Sequence, residues 1–413
     1  MNSARPARRL LRCLPALCAL AMAAGWWAVL QNREEAGVLP AAAAVPGQPE
    51  RMKDLIRRVE QQRGIAFRPG LQVLPATAAE IQQRHVEDVK TAGAAASERR
   101  KAWEAMGFRW EPDWPVEEAL AGLAAARTGK HFDAAANVLR VEDAEFPHVR
   151  PASRPRLTLA VSSALVQQHR QPAALFAGGN EDEALAQAAL VEAEAGRVAL
   201  RCELNAAPAP PETRPDVYAT PRFLRELLAF PATAAASLGS RLEASGAAFA
   251  GFDAAWQTRR FSTAALLEDT AGTVEHLPTV PDKARLSGTV GLFGIRTLLK
   301  SQLTKEEALR GSTGWRGDRY AFDGTTLIWI SRWQEDATAA AFARSLADVL
   351  LLAKGLPPES LHTSGSLRQC VTERWSFRIC QDAGTVTLWS TPQSAALPTA
   401  SLTASAHPSH PKQ

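Results

Sequence analysis

The chain has 413 residues, of which 46% are hydrophobic and 22% charged, with a formal net charge of +4. That length can bury a substantial core and accommodates two or three domains. So small a charge, with no Lys/Arg run interleaved with aromatics, gives no basis for nucleic-acid binding.

The N-terminus reads as a targeting segment, residues 1–31. Arg5, Arg8, Arg9 and Arg12 precede an uncharged run from Cys13 to Leu30. At roughly 18 residues the run is just long enough to cross a bilayer. Glu34 and Glu35 follow, and the charge bias predicts a cytoplasmic N-terminus with the body outside. Two readings stand side by side. Ala21-Met22-Ala23 suits a signal-peptidase site. Trp26 and Trp27 suit the interfacial belt of a retained inner-membrane anchor. Leu17 before Cys18 argues against a lipoprotein. In a bacterial host, either reading predicts an envelope protein on the periplasmic side, anchored or secreted.

Residues 32–50 form a linker, rich in Pro, Gly and Ala. Met52, Leu55, Ile56 and Val59 share one face of a helix. Leu71 to Leu74 reads as a strand, and Thr77 with Glu80 as a capping box opening a helix to about Lys90. Further helices are expected over Ser97–Met106 and Val116–Ala126. His131 to Val141 reads as a hairpin turning through Asp133 to Asn137. Pro151 and Pro155 introduce a helix over Leu157–His169. Asn180 or Asp182 caps the next, which carries Glu192 and ends near Cys202. Residues 205–217, with four prolines, are a loop.

Helices are then expected over Pro221–Leu228, Ala232–Ser245, Thr263–Glu268 and Thr289–Gln302. Asp323-Gly324 between apolar runs is a strong hairpin signal. Asp336 is the expected cap of a helix to about Leu352. Strands over Arg374–Ile379 and Thr385–Trp389 complete a β-β-α-β-β unit. Residues 391–413 are rich in Ser, Thr, Ala, Pro and His, the composition of a disordered tail. The Trp residues at 315, 329, 333, 375 and 389 read as sheet core.

Of the five cysteines, Cys202, Cys370 and Cys380 lie outside the targeting segment. Cys370 and Cys380 could join only if a turn brought them together. No C-x-x-C occurs, so a zinc ribbon and a redox motif both lack support. Gly-x-Ser-x-Gly is absent, and Gly311 to Gly314 lacks the Gly-Lys-Ser/Thr of a phosphate loop. Glu181-Asp182-Glu183 reads as a helix N-terminus favoured by the macrodipole. His85, His131, His148, His276 and His362 are scattered, with no two at helical spacing, and His407 and His410 lie in the tail.

A set of motifs in shared order carries a resemblance. Residues 131–141 are similar to a G-F-Y-D-P-x-x-G-x-L-Y-V hairpin, Ala164-Leu-Val-Gln-Gln-His169 to A-L-Q-D-Q-H, and Ala189-Leu-Val-Glu192 to A-L-V-E-G. Phe223–Pro231, Arg260–Thr263, Gly291–Leu299 and Gly314–Tyr320 follow in the same order. The chain thus resembles a bacterial zinc metallopeptidase-like family with the signature H-E-L-T-H-A-L-Q-D-Q-H. The likeness covers roughly residues 51 to 350.

That resemblance implies a helix-rich, zincin-like α+β fold, with a peptidase-like core over 51–205, a helical region over 206–310 and the C-terminal unit over 311–390. The chemistry is where this chain departs. In H-E-x-x-H, two imidazoles four residues apart share a helix face and grip one metal, while the Glu polarises its water. Here Leu159 and Ser163 stand at the histidine positions and Ala160 at the general base. Glu192, the third ligand by resemblance, alone survives, and one carboxylate does not hold catalytic zinc. His169 falls outside the metal set and is expected to donate to backbone or pack.

The expectation is a degenerate, non-catalytic peptidase homologue with no cofactor. It would bind a peptide or another envelope protein, or serve as a scaffold. An active hydrolase with relocated ligands and a structural envelope protein without a groove are the alternatives.

Overall fold

A computed structural model describes residues 48–91, 95–110, 121, 129–142, 154–173, 180–203, 222–245, 249–258, 261–268 and 284–392. The expected targeting segment over 1–31, most of the expected linker over 32–50, the expected loop over 205–217 and the expected tail from residue 393 on lie outside these residues, as does the helix expected over Val116–Ala126 apart from a helical Ala121; Thr391 and Pro392, expected to open the tail, are strand. The fold is α+β, with two sheets. Among the described residues no helix is long and apolar enough to cross a membrane.

Helix α1 (Gln48–Arg63) begins inside the expected linker and buries Leu55 and Val59. Strand β1 (Gln72–Ala76) follows. The expected Thr77–Glu80 capping box is present, with Glu80 N–H donating to Thr77 Oγ1 and Thr77 N–H to Glu80 Oε2. It opens α2 (Ala78–Thr91), and α3 (Ala95–Met106) comes next. Strands β2 (Lys130–Asp133) and β3 (Val138–Glu142) are the expected hairpin. β1 pairs with β3 in parallel, giving a three-stranded sheet in the order β1-β3-β2.

α4 (Arg154–Arg170) and α5 (Glu181–Cys202) are the helices of the resemblance, and both bury most of their surface. The cap of α5 is Asn180, whose side chain accepts from Glu183 N–H. α6 (Arg222–Ala244) corrects the sequence reading. It runs unbroken through Pro231, where a break between two helices is expected. Pro231 is buried beside Phe230, and burial of that face outweighs one lost helical hydrogen bond. α7 (Ala250–Gln257) carries no strong sequence signal, and α8 (Thr263–Glu268) lies where expected.

The second sheet has seven antiparallel strands. β4 (Leu286–Gly288), β5 (Trp315–Phe322), β6 (Leu327–Trp333), β7 (His362–Ser364), β8 (Leu367–Val371), β9 (Trp375–Asp382) and β10 (Thr385–Pro392) are ordered β4-β5-β6-β10-β9-β8-β7. The expected β-β-α-β-β unit is β5, β6, α11 (Asp336–Lys354), β9 and β10, widened by β4 at one edge and by β7 and β8 at the other. Since β4 pairs with β5, an expected boundary at residue 311 would cut the sheet. Between β4 and β5 lie α9 (Gly291–Lys300) and α10 (Lys305–Ser312), the latter opened by a Thr304–Glu307 capping box. The cap of α11 is Glu335, with the expected Asp336 as first helical residue.

Trp315, Trp329 and Trp333 are buried in this sheet, and Trp333 stacks on Phe342 of α11. Helix α3 is tied to the same layer, because Lys354 at the end of α11 donates to the Glu104 carbonyl at 2.8 Å. One continuous apolar core runs from Leu55 of α1 to Leu388 of β10.

Candidate functional site

α4 and α5 run antiparallel, and hydrogen bonds at both ends set their register. Thr158 Oγ1 donates to Glu203 Oε1 at 2.8 Å, and Ala173 N–H donates to Gln187 Oε1 at 2.6 Å. Between these ends, Val166 packs with Val191 and Ala195, and Leu159 and Trp256 close on that group. Ala160 and Ser163 are buried. The Ser163 hydroxyl accepts from Gln167 on its own helix at 3.0 Å.

Glu192 is half-buried. No hydrogen bond joins it to Ser163, whose hydroxyl is taken by Gln167. The structure thus brings Leu159 into an apolar group and gives Ser163 a partner on α4, not on α5. His169 donates through Nε2 to the Ala66 carbonyl at 2.8 Å, the backbone role expected of it.

The acidic residue at the centre of this region is Glu194, which sequence reasoning passed over. It is fully buried. Arg63 Nε donates to its Oε1 at 2.5 Å and Trp256 Nε1 to its Oε2 at 2.8 Å. Asp253 accepts from Arg63 at 2.5 Å and from Arg170. Arg170 also lies 3.7 Å from Glu194. Two guanidiniums and two carboxylates make the network neutral.

Burial alone would lower the Arg63 pKa, but Glu194 and Asp253 outweigh it and raise it further. Burial would raise that of Asp253, and the two arginines bring it below the usual range. The Arg63 guanidinium lies 4.7 Å over the Phe249 ring, and that of Arg170 lies 5.8 Å over Trp256. His169, Arg170, Trp256 and Gln257 line a cleft of ≈ 320 Å³ beside this network. The cleft offers an aromatic face, an amide and an arginine already paired.

A second polar node joins the start of α5 to the large sheet. Glu181 accepts from Arg99 Nε and from the Tyr320 hydroxyl, each at 2.9 Å. Asp182 accepts from the Thr263 amide at 3.0 Å and from its hydroxyl. Asp318 of β5 accepts from Val290 and Gly291 amides at 2.8 Å and from Trp329 Nε1 at 3.0 Å. All three carboxylates are buried. Glu181-Asp182-Glu183 does form a helix N-terminus, but its first two side chains turn inward rather than into solvent.

The scattered histidines need one correction. His85 of α2 and His131 of β2 lie together, with ring centroids 5.2 Å apart and planes at 79°. Their separation along the chain hid them, because a helix and a strand from different segments supply one each. Among the described residues, no group of three or more His, Cys, Asp or Glu side chains is arranged to hold a metal ion. Cys202, Cys370 and Cys380 are free thiols. In the β8–β9 ladder Cys370 pairs with Phe377 and Cys380 with Leu367. The two cysteines are therefore three positions apart on opposite faces, which rules out the bridge considered from sequence.

With this geometry in place, comparison with known proteins adds one match. Residues 275–400 match a family model described as Domain of unknown function (DUF8575). That stretch takes in β4, α9, α10 and the whole seven-stranded sheet, together with Asp318 and Gly291 of the second polar node. No curated protein and no solved structure matches the chain.

Proposed function

We propose that this chain is a non-catalytic, zinc-peptidase-like protein of the bacterial envelope that binds an extended peptide or a partner protein. The observation carrying this reading is the packing of Leu159 on Val166, Val191 and Ala195. Leu159, where the resemblance would put a metal-binding histidine, packs against that apolar group, and none of these side chains can ligate a metal. Filling space with apolar groups stabilises a fold that would otherwise keep a cavity. The run from Cys13 to Leu30 behind Arg5–Arg12 supports the envelope assignment.

A purely structural role without a ligand groove is the second reading, and the same packing favours it. The cleft beside Trp256 favours binding instead, since it joins an aromatic face to hydrogen-bonding groups. Incubation with a fluorogenic peptide library, with and without added zinc, should give no hydrolysis. Peptide titration followed by tryptophan fluorescence should give saturable binding that Trp256→Ala weakens. Turnover lost in Glu192→Gln would overturn the non-catalytic reading. Absence of binding to any extended peptide would leave the structural role.

A further inference from the structure

We propose that His85 and His131 form a two-imidazole site for a first-row divalent cation of the zinc, copper or nickel type. The hydrogen bonds fix which ring nitrogens are available. His85 Nε2 lies 3.1 Å from the Lys130 carbonyl, which can only accept, so Nε2 carries the proton and donates. His131 Nε2 donates to the Asp88 carboxylate at 2.9 Å. In the neutral form of each ring the lone pair is then on Nδ1.

A carbonyl and a carboxylate on the Nε2 nitrogens are the outer partners that metal-bound histidines take, since they fix tautomer and orientation and raise ligand basicity. His131 is 5% exposed, and its Nδ1 is buried without any hydrogen-bond partner. Two rings packed only for shape leave that nitrogen unexplained, whereas a cation between the rings would satisfy it.

The ring separation agrees. With metal–nitrogen bonds of about 2.0–2.1 Å, ring centres about 1.1 Å beyond, and a tetrahedral angle, two ligating imidazoles have centroids about 5 Å apart. The observed separation is 5.2 Å, with the planes at 79°. Imidazole donors select zinc, copper or nickel over magnesium or calcium. Two protein ligands leave the other positions to water or to a group on an arriving molecule. The half-buried His85 gives the approach. The site lies on α2 and β2, apart from the α4–α5 pair, and is independent of the function proposed above.

The test is titration of Zn²⁺ alone into the chelator-treated full chain by calorimetry. One saturable equivalent is expected, weakened at least tenfold by His85→Ala. Asp88→Asn, at a largely exposed position, should weaken it about tenfold through the outer hydrogen bond. Because His131→Ala risks the fold, ¹⁵N imidazole spectra supply the second readout. Zinc should move the Nδ1 resonances of His85 and His131 and leave Nε2 protonated. Absence of saturable binding, affinity unchanged in His85→Ala, or ligation through Nε2 would each overturn the proposal.

Discussion

Arg63 of α1 donates to the Glu194 carboxylate of α5 across 2.5 Å, and both side chains are almost closed to solvent. Removing one member of such a pair strands a buried charge, which costs about 3–5 kcal/mol. Glu194→Ala should lower the denaturation free energy by about that much. Glu192→Ala, two residues away and half-buried with no pairing of this kind, should change it by less than about 1 kcal/mol. Urea denaturation of the two variants side by side decides which glutamate the fold depends on.

That contrast also marks what the sequence can reveal. Periodicity and turn chemistry locate α4, α5, the β2–β3 and β5–β6 hairpins and α11, because each is specified by residues close in the chain. Leu159, Ala160 and Ser163 are legible as non-ligands for the same reason. Glu194 is not legible, since its burial depends on Arg63 from 131 residues before it and on Trp256 from 62 after. The His85–His131 pair is hidden in the same way. Pro231 misled because the local rule for proline was outweighed by packing of the α6 face, which no local pattern reports.

Gly291 opens α9 against the Asp182 carboxylate. Its φ is +76°, a conformation that side chains disfavour, and an added β-carbon would overlap Asp182 itself. Gly291→Ala therefore combines backbone strain with overpacking, each worth about 1–3 kcal/mol. The expected loss is about 3 kcal/mol or more by thermal or chemical denaturation. Gly365→Ala, also at positive φ but with open space around its β-carbon, should lose only the strain component. Equal losses in the two variants would show that contact with Asp182 adds nothing.

The node around Asp182 sets a pH dependence. Burial first pushes Asp182 up to about 7, only partly offset by the Thr263 bonds and reinforced by Asp318. Burial likewise pushes Asp318 up to about 6 against the Val290, Gly291 and Trp329 donors. Both values exceed the ordinary carboxylate value near 4, so the folded state binds more protons than the unfolded one between those limits. Stability from these groups is fully present below about pH 4 and is lost as pH rises to about 7. Asp182→Asn should flatten the fall in denaturation free energy over that window. An unchanged slope would show that Asp182 is ionised throughout.

Thiol chemistry gives another check. With no bridge between Cys370 and Cys380, reductant should leave the melting temperature unchanged. Denatured protein should present Cys202, Cys370 and Cys380 to a colorimetric reagent without prior reduction. In the native state Cys202 should react slowly at pH 8, because burial pushes its thiol up to about 11 and little thiolate forms.

Building the motif of the resemblance into α4 tests the α4–α5 geometry most directly. Leu159→His, Ala160→Glu and Ser163→His together create an H-E-x-x-H pattern. Position 163 is closed to solvent, however, and Leu159 helps cover Val166, Val191 and Ala195. Two imidazoles placed there must displace apolar packing. The triple variant should lose about 2–4 kcal/mol of stability through overpacking and buried polar atoms. Made together with His85→Ala, which removes the other imidazole pair, it should gain no tight zinc equivalent by calorimetry. If it does bind zinc tightly, and Glu192→Gln weakens that binding, the two helices can still close around a metal. This chain would then differ from the signature it resembles in three side chains and not in the frame that holds them.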